Sequence, residues 1–250
     1  MLEYRGLSVT IDEKKILDDI TLSVKCGEVL ALIGRNGSGK TTLLSSVLRE
    51  RKYSGSIFVN GVDILSLSRK KLAKAISIMP QFLPSPDISV ESLVSFGRSP
   101  HTSFSGILSE NDRIHVSSAI DDMGLSHLRE RKVSSLSGGE CRRAYFAMIL
   151  AADANVIMLD EPTTYMDTLT KKELFDFIRI LKERHKAVII VLHDLRDAVK
   201  VSDRIHLLDR GKTVFSGSAT EFINSSYPRE IFGLETVRIK IDGEEEVFFK

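Results

Sequence analysis

The sequence predicts an α/β fold: a mostly parallel sheet, an antiparallel β-subdomain near the N-terminus and an inserted all-helical subdomain. Three observations predict it. Two continuous apolar runs, Val156-Ile157-Met158-Leu159 and Ala187-Val188-Ile189-Ile190-Val191-Leu192, read as strands covered on both faces, with a helical pattern between them. Leu7 to Ile11 and Ile20 to Val24 alternate apolar and polar at period two. From about Ser89 to Leu136 apolar residues recur only at helical spacing.

Taken in order, the first two strands are separated by turns at Asp12-Glu13-Lys14-Lys15 and Lys25-Cys26-Gly27, and the apolar run Val29 to Ile33 follows. Gly34 to Thr42 then fits G-x-x-x-x-G-K-[ST], the P-loop pattern. Its glycines let successive backbone N–H groups converge on phosphate oxygens, so Gly34, Asn36, Gly37, Ser38, Gly39 and Thr42 are candidate cradle residues. Lys40 would reach the β and γ phosphates, and the Thr41 hydroxyl would ligate Mg²⁺. The core is therefore expected to be that of a P-loop NTPase.

Gly55 to Gly61 reads as a strand closed by an Asn-Gly turn, Ser68 to Ala75 as a helix, and Ile76 to Met79 as a short strand that Pro80-Gln81 breaks. Pro84, Pro86 and Asp87 mark a loop before the helical segment. There Ser89 with Ser92 opens one helix; Ser109 to Asp112 caps another, carrying Val116, Ile120 and Met123 and ending at Gly124. A helix over Arg142 to Ala152 precedes the first buried strand, and one carrying Leu174, Ile178 and Leu181 precedes the second. Val237 to Ile241, Asp242-Gly243 and Val247 to Phe249 predict a C-terminal hairpin.

The 250 residues suffice for a sizeable core. Lys+Arg number 35 against Asp+Glu 34, a net charge of +1, so no basic field points to nucleic acid. Two distant cysteines, Cys26 and Cys141, offer neither a disulfide framework nor a zinc site and fit a reducing compartment. The N-terminal residues show no apolar signal region and no run reaches the roughly 18 to 20 apolar residues of a membrane span. The expected location is cytoplasmic, with any membrane role supplied by a partner.

Asp160 and Glu161 end the first buried strand, where an open α/β sheet places its ligand groups. One carboxylate there can hold Mg²⁺ through water opposite Thr41, and the next can orient or deprotonate an attacking water. His193 ends the second strand, but a lone histidine there is more often structural than catalytic. Gln81, read alone, is a loop glutamine. Leu136-Ser137-Gly138-Gly139-Glu140 opens a helix with small residues and makes a second anion-binding N-terminus. One chain holds only one γ-phosphate, so this second site suggests a partner's nucleotide.

Leu136 to Glu140 resembles the L-S-G-G-Q signature of ATP-binding cassette (ABC) ATPases, and it lies between the helical segment and Leu159-Asp160-Glu161-Pro162-Thr163 as in that family. Gln81, Thr164-Tyr165-Met166-Asp167 and His193-Asp194 fall, in order, where the family has its Q-loop, D-loop and switch histidine. The resemblance runs from about Leu2 to Gly217. It implies a homodimer sandwiching two ATP molecules: Lys40 and the P-loop amides of one subunit grip each nucleotide, and Ser137, Gly138 and Gly139 of the other cap it. Glu161 becomes the general base and His193 the γ-phosphate contact. Gln81 links Mg²⁺ to the helical subdomain, and Asp167 communicates across the interface. The chain then forms one cassette: residues 1–88 and 153–250 make the nucleotide-binding core with its β-subdomain, and 89–152 the helical subdomain.

The sequence departs from the family twice. Glu140 replaces glutamine, which weakens ATP in trans unless it points away or pairs, for example with Arg142 or Arg143. Ile11, followed by Asp12, stands where the family stacks adenine on an aromatic ring.

Ser95 to His101, Gly106 to Ser109, Asp112 and Glu161 to Asp167 resemble the importers of iron-siderophores, haem and cobalamin. That subfamily implies a separate integral membrane permease and, indirectly, a periplasmic or surface substrate-binding protein. Phe82, Leu83, Val94 and Phe96 are candidates for the permease groove. Arg98 and His101 are read as part of that dock or as a solvated helix end. The alternative is a cassette ATPase of a non-membrane complex, such as iron–sulfur cluster assembly. A nucleotide kinase or GTPase would leave Leu136 to Glu140 without a role.

Overall fold

A computed structural model describes residues 1–79, 81–102, 106–163, 166, 168–241 and 244–250. Strand β1 (Leu2–Ile11) pairs antiparallel with β2 (Lys14–Val24). Asp12 and Glu13 join them at φ 46° and 64°, the left-handed pair that suits the twist of a two-residue hairpin. The apolar alternation reaches further back than the sequence indicated. Leu2 and Tyr4 are buried, then Leu7 and Val9, and the change of phase coincides with a break in pairing register around Gly6.

Strand β3 (Val29–Ile33) is buried throughout and leads into α1 (Lys40–Ser45). β4 (Ser54–Val59) and β5 (Val62–Asp63) flank the Asn60-Gly61 turn, at φ 50° and 77°. α2 (Arg69–Ala75) starts at Ser68, whose hydroxyl accepts from Lys71 N–H, and β6 (Ile76–Met79) follows. Three helices come next: α3 (Val90–Ser95) capped by Ser89, α4 (Glu110–Asp122) with a Ser109/Asp112 capping box, and α5 (Gly138–Ala152). Among the described residues from 89 to 152 there is no strand, only a bridge between Ser89 and Lys132.

The chain continues as β7 (Val156–Leu159), α6 (Thr168–Glu183), β8 (Ala187–Val191), α7 (Leu195–Val201), β9 (Arg204–Asp209) and β10 (Lys212–Ser218). It closes with α8 (Ala219–Ile223), α9 (Tyr227–Phe232), β11 (Thr236–Ile241) and β12 (Glu244–Phe249). The last two strands form the expected hairpin; its turn, Asp242-Gly243, lies outside the described residues.

The main sheet has the order β10-β9-β3-β8-β7-β6, parallel except for β10 at one edge. A second sheet, β2-β1-β4-β5, is antiparallel. The strands of the main sheet feed two cores alternately. Val29, Ala31, Ile33, Ile157, Leu159, Val188 and Ile190 face the helical side. Leu30, Leu32, Val156, Met158, Ile189 and Val191 face the core shared with the antiparallel sheet. That explains the unbroken apolar runs: each residue has a dry face to meet. Phe146 of α5 stacks on Phe177 of α6 at 4.1 Å and 6°, joining the helical segment to the core, a contact worth about 0.5–1.5 kcal/mol beyond its burial.

Arg98 corrects an expectation. It is buried, with Nε 2.8 Å from Asp112 Oδ1 and Nη1 donating to the Ala151 carbonyl at 2.9 Å. His101 lies 3.1 Å from the Ala152 carbonyl. Arg98 ties α4 to α5 and His101 meets the end of α5, so the two do not form a solvated helix end.

Candidate functional site

The turn between β3 and α1 is shaped by positions that no side chain could fill. A Cβ at Gly34, where φ is 150°, would come within 2.2 Å of the Leu208 carbonyl oxygen; one at Gly39, φ 103°, would come within 2.6 Å of Leu17 Cδ2. The backbone is thus pressed against β9 and β2, and the loop arches over a cavity of about 520 Å³. Asn36, Gly37, Ser38, Gly39, Lys40, Thr41 and Thr42 line one wall. Lys40 is buried, and its ammonium donates to the carbonyls of Gly34 at 2.8 Å and Arg35 at 3.2 Å. Burial lowers its pKa, opposed by the carboxylates of Glu161 and Asp160.

The opposite wall comes from the carboxyl ends of neighbouring strands. Gln81, Glu161 and His193 each stand two residues past the last residue of β6, β7 and β8, namely Met79, Leu159 and Val191. Strands β6 and β7 are in register at Met79 and Leu159, and β7 and β8 at Leu159 and Ile190, so the three side chains converge. Gln81 Nε2 donates to Glu161 Oε2 at 3.0 Å, and His193 Nε2 is 2.6 Å from Glu161 Oε1. Glu161 has a φ of 48°, a left-handed backbone costing about 1–2 kcal/mol, and its carboxylate is held from both sides. Glu161 and His193 both border the cavity.

Asp160 points inward from the same strand end. One carboxylate oxygen, Oδ1, is buried with no hydrogen-bond partner, and the Thr41 hydroxyl is near enough to favour the charged form of this side chain. Burial raises its pKa and the charge on Glu161 adds to that; Lys40, His193 and Thr41 oppose it. A buried carboxylate oxygen without a donor, next to a hydroxyl, fits a hard divalent cation such as Mg²⁺. No cluster of three acidic, histidine or cysteine ligands occurs among the described residues.

Ser137, Gly138 and Gly139 lie elsewhere, at the start of α5, and do not line this cavity. Ser137 and Gly138 are exposed. Glu140 Oε2 accepts from both Ser137 N–H and Ser137 Oγ, each at 2.8 Å, and Glu140 N–H donates back to Ser137 Oγ at 3.3 Å. These bonds, the Ser137 N–H first, hold the Glu140 carboxyl below its ordinary pKa. Of the two arginines considered as partners for Glu140, Arg143 is engaged elsewhere: its Nη1 is 2.5 Å from Glu173 Oε1.

Three further expectations are settled or bounded. Ile11 is not on the cavity wall. It packs, partly buried, against the second core, while Lys14, its cross-strand partner, and Ile16 border the cavity. The tight Asp12-Glu13 turn places the wall on β2 and not on the end of β1. Lys14 and Ile16 carry no local signal in the sequence, because Lys14-Lys15-Ile16-Leu17 does not alternate polar and apolar. Asp167, with Thr164 and Tyr165, lies outside the described residues. Of the candidate docking residues Phe82 and Phe96 are largely exposed, at 80% and 57%, whereas Leu83 is partly buried and Val94 fully buried in the core. No described helix is long and apolar enough to cross a membrane.

The sequence pattern of the ABC transporter family matches residues 17–164. The chain is 38% identical to the petrobactin import ATP-binding protein FpuC of Bacillus anthracis, covering 100% of this chain and 92% of that one. It is 34% identical to the iron(3+)-hydroxamate import ATP-binding protein FhuC of Bacillus subtilis, over 94% and 88% of the two chains. Among solved structures it superposes on CbiO1 of Clostridium perfringens, part of the ABC transporter complex CbiONQ, with a TM-score of 0.78 and 28% identity over 92% and 95%.

Proposed function

The chain belongs to the ABC transporter family as an ATP-binding subunit with ATPase activity, and from that premise we propose that it powers import of an iron chelate through a separate membrane permease. A haem- or cobalamin-type substrate falls in the same class. The observation that carries the catalytic reading is Glu161, held between Gln81 and His193 at the mouth of the phosphate cradle.

Lys40 and the amides of Gly34 to Thr42 bind the β and γ phosphates, because that loop offers donors and a buried cation to an anion. Thr41 and Asp160 would hold Mg²⁺, and Gln81, which donates to Glu161, would join them as a ligand. When bound, Mg²⁺ neutralises charge on the β and γ oxygens. Glu161 accepts the proton of the attacking water, and His193 fixes the γ-phosphate and Glu161 in line. Ile16 and the Lys14 stem offer the nucleotide an aliphatic wall, the role first considered for Ile11.

We further propose a head-to-tail homodimer in which Ser137, Gly138 and Gly139 of one subunit cap the nucleotide of the other, with Asp167 contacting the partner. Charge-assisted bonds to the γ-phosphate, about 1.5–3 kcal/mol each, exist only with ATP, so hydrolysis releases the dimer. Residues 89–152 act as a subdomain that moves on the core formed by 1–88 and 153–250. Phe82 and Phe96 contact the permease on the inner face of the membrane, and a substrate-binding protein on the outer side delivers the cargo to that permease.

The test is Glu161→Gln in the full chain. Turnover of Mg-ATP falls by about 10² to 10⁴ while ATP binding persists, since only the base is lost. Turnover close to that of the unaltered protein would overturn the assignment. Co-purification with a polytopic permease, and stimulation by iron-chelate-loaded binding protein, test the transport reading separately.

A further inference from the structure

We propose that Glu140 is an internal competitor for the partner's γ-phosphate and sets the ATP concentration at which two subunits close. This rests on the reading that Ser137 meets the partner's nucleotide. Both donors of Ser137, its N–H and its O–H, are spent on one oxygen of Glu140, each at 2.8 Å. A serine hydroxyl carries one hydrogen. Ser137 therefore cannot donate to a phosphate oxygen until its hydroxyl turns away from a carboxylate, and bonds to an ionised acceptor are the stronger kind.

The carboxylate charge also stays at the place an incoming phosphate must approach. Arg143, near enough to favour the ionised form of Glu140, makes its own ion pair with Glu173 at 2.5 Å. Arg131 is turned to Ser135, donating to its Oγ at 3.2 Å and its carbonyl at 2.9 Å. Glu140 thus occupies the start of α5 as a phosphate would, with the same serine as donor. Closure requires ATP to displace it.

Glutamine at this position separates charge from architecture. A Gln side-chain oxygen still accepts from Ser137 and completes the capping box, so α5 keeps its start. What disappears is the negative charge and the strength of the serine bond. A purely structural Glu140 would leave ATP-driven closure unmoved by this change.

The experiment compares two full-length chains, Glu161→Gln and Glu161→Gln with Glu140→Gln, so that ATP drives association without being consumed. Sedimentation velocity at low salt across an ATP titration gives the half-dimer concentration, and thermal melting monitors the fold. The expected result is a half-point about fivefold lower with Glu140→Gln, the scale of one exposed charge interaction. The gap should narrow as salt screens it, with the melting temperature unchanged. Equal half-points in two chains that both dimerise would overturn the role of Glu140 and leave the sandwich reading intact. Failure of both chains to dimerise with ATP, while both still bind it, would overturn the sandwich reading and this inference with it.

Discussion

Glu161 and His193 meet at 2.6 Å, Oε1 to Nε2, from the ends of two adjacent parallel strands. The contact fixes the direction in which the carboxylate faces the cavity, since its other oxygen is held by Gln81. Replacing His193 by alanine should therefore damage chemistry more than binding. The expected outcome is a fall in kcat on the order of 10²-fold with the Kd for ATP changed little, read by phosphate release and equilibrium nucleotide binding.

The buried Arg98–Asp112 pair predicts an acid-dependent stability. Hydrogen bonds from Ser109 and the Arg98 guanidinium push the Asp112 carboxyl down to about 2, against the gain from burial, which acts upward. Its folded pKa is depressed, so its contribution is complete above about pH 4 and is lost as pH falls toward 2, worth about 2 kcal/mol. Asp112→Ala leaves Arg98 buried without its carboxylate and should cost about 3–5 kcal/mol in urea unfolding at neutral pH.

His206 predicts a second pH window. It lies fully buried on β9, with Nε2 3.0 Å from Thr213 Oγ1 and Nδ1 without a partner, and burial pushes its pKa down to about 4. The folded protein keeps it neutral while the unfolded chain protonates near 6.5. Stability is then complete above about pH 6.5 and declines as pH drops toward 4, by about 3 kcal/mol at most. His206→Gln should flatten the unfolding free energy across that window.

Phe82 and Phe96 are large apolar side chains left mostly in solvent. Changing both to aspartate should abolish co-purification with the permease. The isolated subunit should keep its ATPase rate within about twofold, because surface changes away from buried features are usually small in effect.

Chelation gives a further outcome. Removal of Mg²⁺ with EDTA should stop turnover, and Asp160→Asn should raise the Mg²⁺ concentration needed for half-maximal rate by about tenfold or more, read from the rate against free Mg²⁺.

How much of this was legible in the sequence depended on distance along the chain. The cradle, β7 and β8 were readable because glycine placement and unbroken apolar runs are local signals. Arg98 was not, because its burial rests on Asp112 and the Ala151 carbonyl, 14 and 53 residues away. The wall formed by Lys14 and Ile16 depended on the register of β1 with β2 and on a two-residue turn, which propensity does not fix. The partner of Glu140 was legible as S-x-x-E, a helix-start pattern, in Ser137 to Glu140.

The common two-residue offset of Gln81, Glu161 and His193 from their strand ends makes turnover a ruler for sheet assembly. A slip of one residue in β6, β7 or β8 would move that side chain about 3.3 Å and turn it to the opposite face. A refolded sample with native helix content but one misaligned strand would bind poorly and hydrolyse nothing. Recovered ATPase activity therefore certifies alignment of the sheet in a way that no bulk spectroscopic signal can.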